Sequence, residues 1–304
     1  LAQQIAQLFL ILIMGYAVVK AGLLKASDSK VLSVVMVYLV TPCVIINAFQ
    51  INDTPEIRKG LLYSMAIAAA IHGVLLGISA LLSRPLKLDA VEQVNVIYSN
   101  AAALVIPLVK ALLGDEYVIY SCAFIIVQLV LLWTHASSLL QGSSALDWKK
   151  VLTNINMIAI AAGALLYWFR VVLPAPLQNT MSTVGNMMGP MGMLLAGMAI
   201  AEKPLRDVFC TRRNYLPTVL RLVVCPLVML VLLLVCHASS WVADGKNILM
   251  TVYLAAITPA CATVTSMAQL YDRDAAHSSA LYVLTTLLSI ITMPVMIGLF
   301  DLLL

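Results

Sequence analysis

The sequence contains little charge: Asp, Glu, Lys and Arg make up 11% of its 304 residues, whereas hydrophobic residues make up 62%. So few polar side chains cannot cover the surface of a water-soluble globule. Inside a bilayer, helices satisfy their own backbone hydrogen bonds. The composition therefore predicts an all-α polytopic membrane protein.

Motifs for catalysis and metal binding are also absent from the sequence, which has no HExxH, GxSG or paired GxGD motif. The six cysteines form no CxxC pair and no cluster with histidine at metal-ligand spacing. An enzyme, a metal site and a cofactor are therefore not predicted. Short loops disfavour a membrane sensor, and basic loops explain the net charge of +4 without a nucleic-acid partner.

Ten stretches are apolar over roughly the 20 residues that a membrane-spanning helix needs. They are residues 1 to 19, 31 to 50, 61 to 82, 94 to 113, 117 to 140, 155 to 173, 182 to 201, 215 to 236, 248 to 270 and 279 to 300. The first is expected to be a span and not a secretory signal, because no basic residue precedes it.

The basic residues of the loops predict the orientation, because loops on the cytoplasmic side retain Lys and Arg. With the N-terminus outside, twelve basic residues lie in inner loops and four in outer loops. The inner ones are Lys20, Lys25, Lys30, Arg84, Lys87, Lys149, Lys150, Lys203, Arg206, Arg212, Arg213 and Arg273; the outer ones are Arg58, Lys59, Arg170 and Lys246. Both termini are therefore predicted outside a plasma (inner) membrane.

Two spans in matching places contain an interior proline, Pro107 in 94 to 113 and Pro259 in 248 to 270. Proline removes an amide donor and clashes with the preceding turn, so each span is predicted to be broken in mid-membrane. The polar linker 141–154 separates five spans in residues 1–140 from five in 155–304. Two five-helix halves of inverted topology, each with a broken helix, are typical of secondary transporters.

Several short motifs occur in an order that resembles the auxin efflux carrier family, which includes the plant PIN carriers and bacterial organic-acid transporters. They are Gly15-Tyr16, Lys20-Ala21-Gly22, Tyr38-Leu39-Val40-Thr41-Pro42, Ser99-Asn100, Pro107-Leu108, Gly114-Asp115, Thr258-Pro259, Ala268-Gln269-Leu270-Tyr271, Ser289 and Pro294. The resemblance covers nearly the whole chain.

The resemblance implies a fold similar to that of sodium/proton antiporters and bile-acid symporters. In that fold, helices one, two, six and seven form a scaffold, and helices three to five and eight to ten form a transport domain. The fourth and ninth helices cross at their prolines, and a small organic anion binds beside the crossing. A homodimer through the scaffold is also implied.

A broken helix exposes amides at the start of its second half, which carries roughly half a positive charge and can receive an anion. The predicted substrate-binding residues are Asn100, Ser99, Ile106, Pro107, Asn47, Thr258, Pro259, Thr263 and Ser266, with Thr265 nearby. Asn100 matches the family's carboxylate-binding asparagine; alternatively, it satisfies loosened backbone. Asn47 either faces the crossing or bonds a neighbouring helix. Val105, where the family often has glycine, disfavours an indole acid.

Ionisable residues within the spans are candidates for coupling or attraction. Arg221 is expected to snorkel to the inner face, or else to attract an anion. His72 and His135 are candidates for proton coupling, the alternative being neutral packing. Lys110 is expected at the outer interface.

These patterns predict a secondary transporter that moves a mono- or dicarboxylate by alternating access. Export of an anion from a cell that is negative inside gains about 2.3 kcal/mol per charge per 100 mV, so it needs no coupling ion. The spans contain no Asp or Glu pair for a sodium or proton site. A sodium- or proton-coupled symporter remains the alternative.

Overall fold

A computed structural model describes residues 2–50, 54–142, 149, 152–201 and 204–304. Its regular elements are helices, which confirms the predicted all-α class. The α-helices are α1 (Ala2–Lys20), α2 (Ser29–Val35), α3 (Thr41–Ala48), α4 (Pro55–Ser83), α5 (Ala90–Ile97), α6 (Ala101–Leu112), α7 (Val118–Leu131), α8 (Ser137–Gln141), α9 (Ile155–Trp168), α10 (Ala175–Gly185), α11 (Met188–Ala201), α12 (Leu205–Cys210), α13 (Tyr215–Val219), α14 (Cys225–Val235), α15 (Gly245–Ile257), α16 (Ala262–Leu270) and α17 (Ala275–Leu303).

Each predicted span overlaps at least one of these helices. Within the described residues, four continuous helical stretches are long and apolar enough to cross a membrane on their own. They are Pro55–Ser83, Asp115–Gln141, Arg212–Val235 and Ala275–Leu303. α4 begins earlier than residue 61 because Thr54 caps it, accepting a hydrogen bond from the Ile57 amide, and Pro55 suits the first turn.

Besides the spans that contain Pro107 and Pro259, three predicted spans contain a proline close to a change in helical geometry. π-helical turns at Met36–Val40 and Leu220–Val224 precede Pro42 and Pro226. Such a turn is one way in which a helix accommodates a ring that has no amide hydrogen. The seventh span instead breaks between α10 and α11, just before Pro190.

One group of helices comprises α1, α2, α3, α9, α10 and α11. α1 packs along α11, where Gly15 lies against the backbone of Leu194 and Gly197 against the backbone of Leu12. α9 and α10 pack on α3 through two further glycines, at positions 163 and 185. Because glycine has no side chain, the helices of this group can approach each other closely at these positions.

A second group comprises α4 to α7 and α13 to α17. α15 lies at its centre and packs against α4, α6 and α7, while α17 packs against α5 and α16. Every residue from Ile248 to Ile257 of α15 is buried, which places this helix in the core. The two groups contact each other mainly where α11 meets α6. Within the linker 141–154, residues 143–148, 150 and 151 lie outside the described residues.

We expect Gly197→Ala to destabilise the protein by about 1–3 kcal/mol, because the new Cβ would overlap the Leu12 carbonyl oxygen and lie 2.8 Å from the Tyr16 amide nitrogen. Thermal unfolding of the purified protein in detergent measures the effect. Gly73→Ala is the matched control, since a Cβ there meets no atom within 4 Å. Equal melting temperatures for the two variants would contradict the close backbone contact.

Candidate functional site

The chain leaves helical geometry between α5 and α6. α5 ends at Ile97, Tyr98 is extended, and α6 starts after Asn100. Pro107 lies inside α6, so the prediction that Pro107 breaks this span is wrong. Proline removes a single intrahelical hydrogen bond, a loss that a packed membrane helix tolerates. The interruption at 98–100 instead finds its hydrogen-bond partners outside the helix.

The second interruption lies between α15 and α16. α15 ends at Ile257, Thr258 is extended, and α16 begins at Ala262. Pro259 lies within this interruption, as the sequence predicts.

The two interruptions lie side by side and pair through their backbones. Ser99 and Ala260 form an antiparallel β-bridge. The Asn100 amide donates to the Pro259 carbonyl at 2.8 Å, and the Cys261 amide donates to the Tyr98 carbonyl at 3.1 Å. The broken segments therefore cross, and the crossing is defined here as residues 98–100 and 258–261.

Gln128 of α7 completes the hydrogen bonding of Ser99. Its side-chain oxygen accepts from the Ser99 amide at 3.1 Å and from the Ser99 hydroxyl at 2.7 Å. Its amide nitrogen donates to the Ser99 carbonyl at 2.8 Å. On the other segment, the Thr285 hydroxyl of α17 accepts from the Ala260 amide at 3.1 Å. One polar side chain from the following helix thus supports each interruption.

Arg221 lies beneath the crossing and is 1% exposed. Its guanidinium donates to the carbonyls of Val96 and Ile97 at 3.0 and 3.2 Å, at the end of α5. It also donates to Ala256 at 2.6 Å and to Thr258 at 2.8 and 3.1 Å, at the end of α15. The expectation that Arg221 snorkels to the inner face is therefore wrong, because the carbonyls of both helix ends hold it in the interior.

The sequence matches the family model described as a membrane transport protein over residues 1–150 and 144–297. The chain belongs to this family, that of the auxin efflux carriers. The match confirms the resemblance seen in the motifs, and it makes the chain a multi-pass membrane transporter and not an enzyme. A comparison with curated proteins finds no match.

Asn100 of the transporter occupies the N-cap position of α6 and is 6% exposed. Its backbone amide is committed to Pro259, but within the described part of the chain its side-chain amide has no hydrogen-bond partner. The side-chain amide of Asn100 is therefore available to bind a ligand beside the crossing.

Several other predicted residues of the transporter are engaged within the protein. The Ser99 and Thr258 hydroxyls donate to Gln128 and to the Ala255 carbonyl, and both residues are fully buried. Ile106 is also fully buried. On α16, Thr263 is exposed and the Thr265 hydroxyl lies 3.1 Å from that of Ser278. The Ser266 side chain lies outside the described part of the structure.

Asn47 lies on a cavity away from the crossing. The cavity has a volume of about 380 Å³ and is lined by α3 and α10 of the first group and by Lys110, Asp115, Glu116 and Val118 of the second. Lys110 forms an ion pair with Asp115 at 3.0 Å and lies in the last turn of α6. Asn100 is not among the lining residues, so the cavity and the crossing are separate features of the described structure.

The two candidate histidines have different surroundings. His135 Nδ1 lies 3.0 Å from the Tyr98 hydroxyl, which places it one side chain from the crossing. His72 is fully buried; its Nδ1 lies 2.8 Å from the Ala68 carbonyl and its ring lies 4.5 Å from that of Phe124. Within the described residues, His72 Nε2 has no partner.

A charged cluster at the start of α5 was not predicted from the sequence. Buried Glu92 accepts from Arg213 Nε at 2.8 Å and lies 3.1 Å from His277 Nε2. Arg213 also contacts Asp89, which forms a capping box with Glu92. The Asp-x-x-Glu pattern before an apolar run was the available signal. The cluster joins the starts of α5 and α17 to the turn that precedes α13.

We expect Thr285→Val to destabilise the protein by about 1–3 kcal/mol, because it leaves the buried Ala260 amide without a partner. Thr286→Val is the matched control: Thr286 is as deeply buried, but its hydroxyl bonds only to the Tyr282 carbonyl of its own helix. Melting temperatures in detergent compare the two. A Thr286→Val variant as unstable as Thr285→Val would show that Thr285 is not needed to support the crossing.

Proposed function

We propose that the transporter carries a small organic anion, a mono- or dicarboxylate, by alternating access, and that the anion binds at the crossing. The observation that carries the proposal is Asn100, at the N-terminus of α6, whose side-chain amide makes no hydrogen bond within the described structure. An amide NH₂ can donate two hydrogen bonds to a carboxylate.

The electrostatics of the crossing favour a negative ligand. α6 and α16 both begin there, and each N-terminus contributes roughly half a positive charge. Among the described residues, Glu92 is the acidic residue that is buried. It is paired with Arg213 and His277 at the start of α5, whereas the crossing follows the end of that helix. No described carboxylate therefore opposes an anion at the crossing.

The packing supports a division into a scaffold and a moving domain. Both interrupted segments lie within the second helix group, so the crossing would move with that group as one unit. The first group, which corresponds to spans one, two, six and seven, would be the scaffold. The inverted repeats and predicted orientation are part of the same proposal.

The cavity lies between these two groups and would be the outer vestibule. Its volume of about 380 Å³ is within the range of pockets that hold small organic ligands, roughly 300–1,000 Å³. Its lining includes the amides of Asn47, Gln178 and Asn179, which can donate to a carboxylate. The Lys110 ammonium is paired with Asp115, and Glu116 adds a second carboxylate, so the amides and not a net positive charge would receive the substrate.

We expect Asn100→Ala to reduce carboxylate uptake into voltage-clamped proteoliposomes by roughly tenfold or more, since it removes hydrogen bonds to a charged ligand worth about 1.5–3 kcal/mol. A panel of labelled mono- and dicarboxylates is measured at both polarities. Asn247→Ala is the control, because Asn247 lies at the remote end of α15 and bonds to Asp244 and Tyr117. If the wild-type protein moved no carboxylate at either polarity, the proposed function would be wrong.

Alternating access predicts that a substrate changes the exposure of the cavity. With the native cysteines replaced, we expect Ser182→Cys, on the cavity wall, to react with a membrane-impermeant thiol reagent added outside, at a rate that the transported carboxylate alters severalfold. Thr183→Cys is the control, since Thr183 is the adjacent exposed residue and does not line the cavity. A labelling rate at Ser182→Cys that is independent of substrate would argue against movement at this cavity.

Proton-coupled symport is a second candidate because of one contact. His135 bonds to Tyr98, whose carbonyl belongs to the crossing, so protonation of this histidine would be sensed at the site. Uptake that requires an inward proton gradient, and that loses this requirement in His135→Gln, would support coupling. Voltage-driven flux that is indifferent to the gradient would exclude it.

A further inference from the structure

Arg221 has an unusual environment for a charged side chain. It is 1% exposed, and among the described residues no Asp or Glu lies within ion-pair distance of its guanidinium. A buried charge without compensation is strongly unfavourable. The compensation comes from four backbone carbonyls, at the ends of α5 and α15.

Those carbonyls are the groups that a helix leaves unpaired at its C-terminus, where the helix dipole contributes roughly half a negative charge. Two such ends together carry about one negative charge, which the guanidinium cancels. The N-termini of α6 and α16 then remain as an uncancelled positive charge of similar size.

We propose that Arg221 gives the crossing its preference for anions, acting as a positioning residue that neutralises two negative helix ends and joins them. This inference rests on the proposed function. Arg221 bonds to the last carbonyls before each interruption and to the Thr258 carbonyl, so it acts on the substrate through the helix ends and not by contact.

The same carbonyls are of the kind that coordinates a coupling cation in transporters with broken helices. A guanidinium fixed on them occupies that position with a covalently attached positive charge. The preference for an anion would then not depend on binding an ion first.

Cys225 provides a test that leaves Arg221 in place. It follows Arg221 by one helical turn, at the start of α14, and is fully buried. Cys225→Asp introduces a carboxylate beside the guanidinium and cancels its charge, while Cys225→Asn has nearly the same shape and no charge. The buried ion-pair partner offsets part of the cost of desolvating the new acid.

The carboxylate best carried by the wild-type protein and its neutral amide are compared in proteoliposomes. We expect Cys225→Asp to raise the KM for the carboxylate by roughly tenfold or more relative to Cys225→Asn, and to lower the ratio of carboxylate to amide uptake. Arg221→Met should lower the same ratio, and Arg221→Lys, which keeps the charge, should largely retain it.

A folded Cys225→Asp protein with the KM and uptake ratio of Cys225→Asn would overturn the inference while leaving the proposed function intact. So would an Arg221→Met protein that is less stable but keeps the wild-type uptake ratio, because a purely structural role predicts that result. If the wild-type protein carries no carboxylate at all, the proposed function fails first, and the inference with it.

Discussion

The structure depends on hydrogen bonds to backbone groups that lie outside any helix and away from water. Residues 98–100 and 258–261 leave helical geometry in the interior, and hydrocarbon offers no substitute partners. They pair with each other through two backbone hydrogen bonds, and side chains of the two following helices satisfy much of the remainder. The crossing is therefore an element of tertiary structure: neither segment could be interrupted in this way without the other.

This pairing also brings together the helix ends whose partial charges set the electrostatic potential of the site. Two helices end and two begin at one point, so their partial charges would cancel if nothing else were present. A single buried arginine removes the cancellation, because it binds only the carbonyl ends. Selectivity for an anion can thus arise from backbone geometry and one buried side chain, without a cationic group in contact with the ligand.

Hydropathy was sufficient to predict the all-α class and the four long apolar stretches, because each of these helices presents a long apolar surface. The interior prolines predicted the interruption at Pro259 correctly. The same argument failed at Pro107, because the missing amide of a proline is a local property, whereas an interruption requires hydrogen-bond partners from elsewhere, and those of Ser99 come from a residue 29 positions away. The same limitation explains why the prediction for Arg221 was wrong. Its position near the start of its helix suggested snorkelling, but its carbonyl partners belong to two other helices.

The close approach of α1 and α11 has a mechanical consequence. At Gly15 and Gly197 one backbone rests directly on another, with no side chain between them that could change rotamer. Sliding along such a seam would require a jump of a whole helical turn, which a tightly packed contact resists. Displacement is easier where volume is unfilled, and the cavity beside Asn47 provides that volume. Because α1 and α11 both belong to the first group, their contact stiffens that group internally, and the unfilled volume lies at its boundary with the second group.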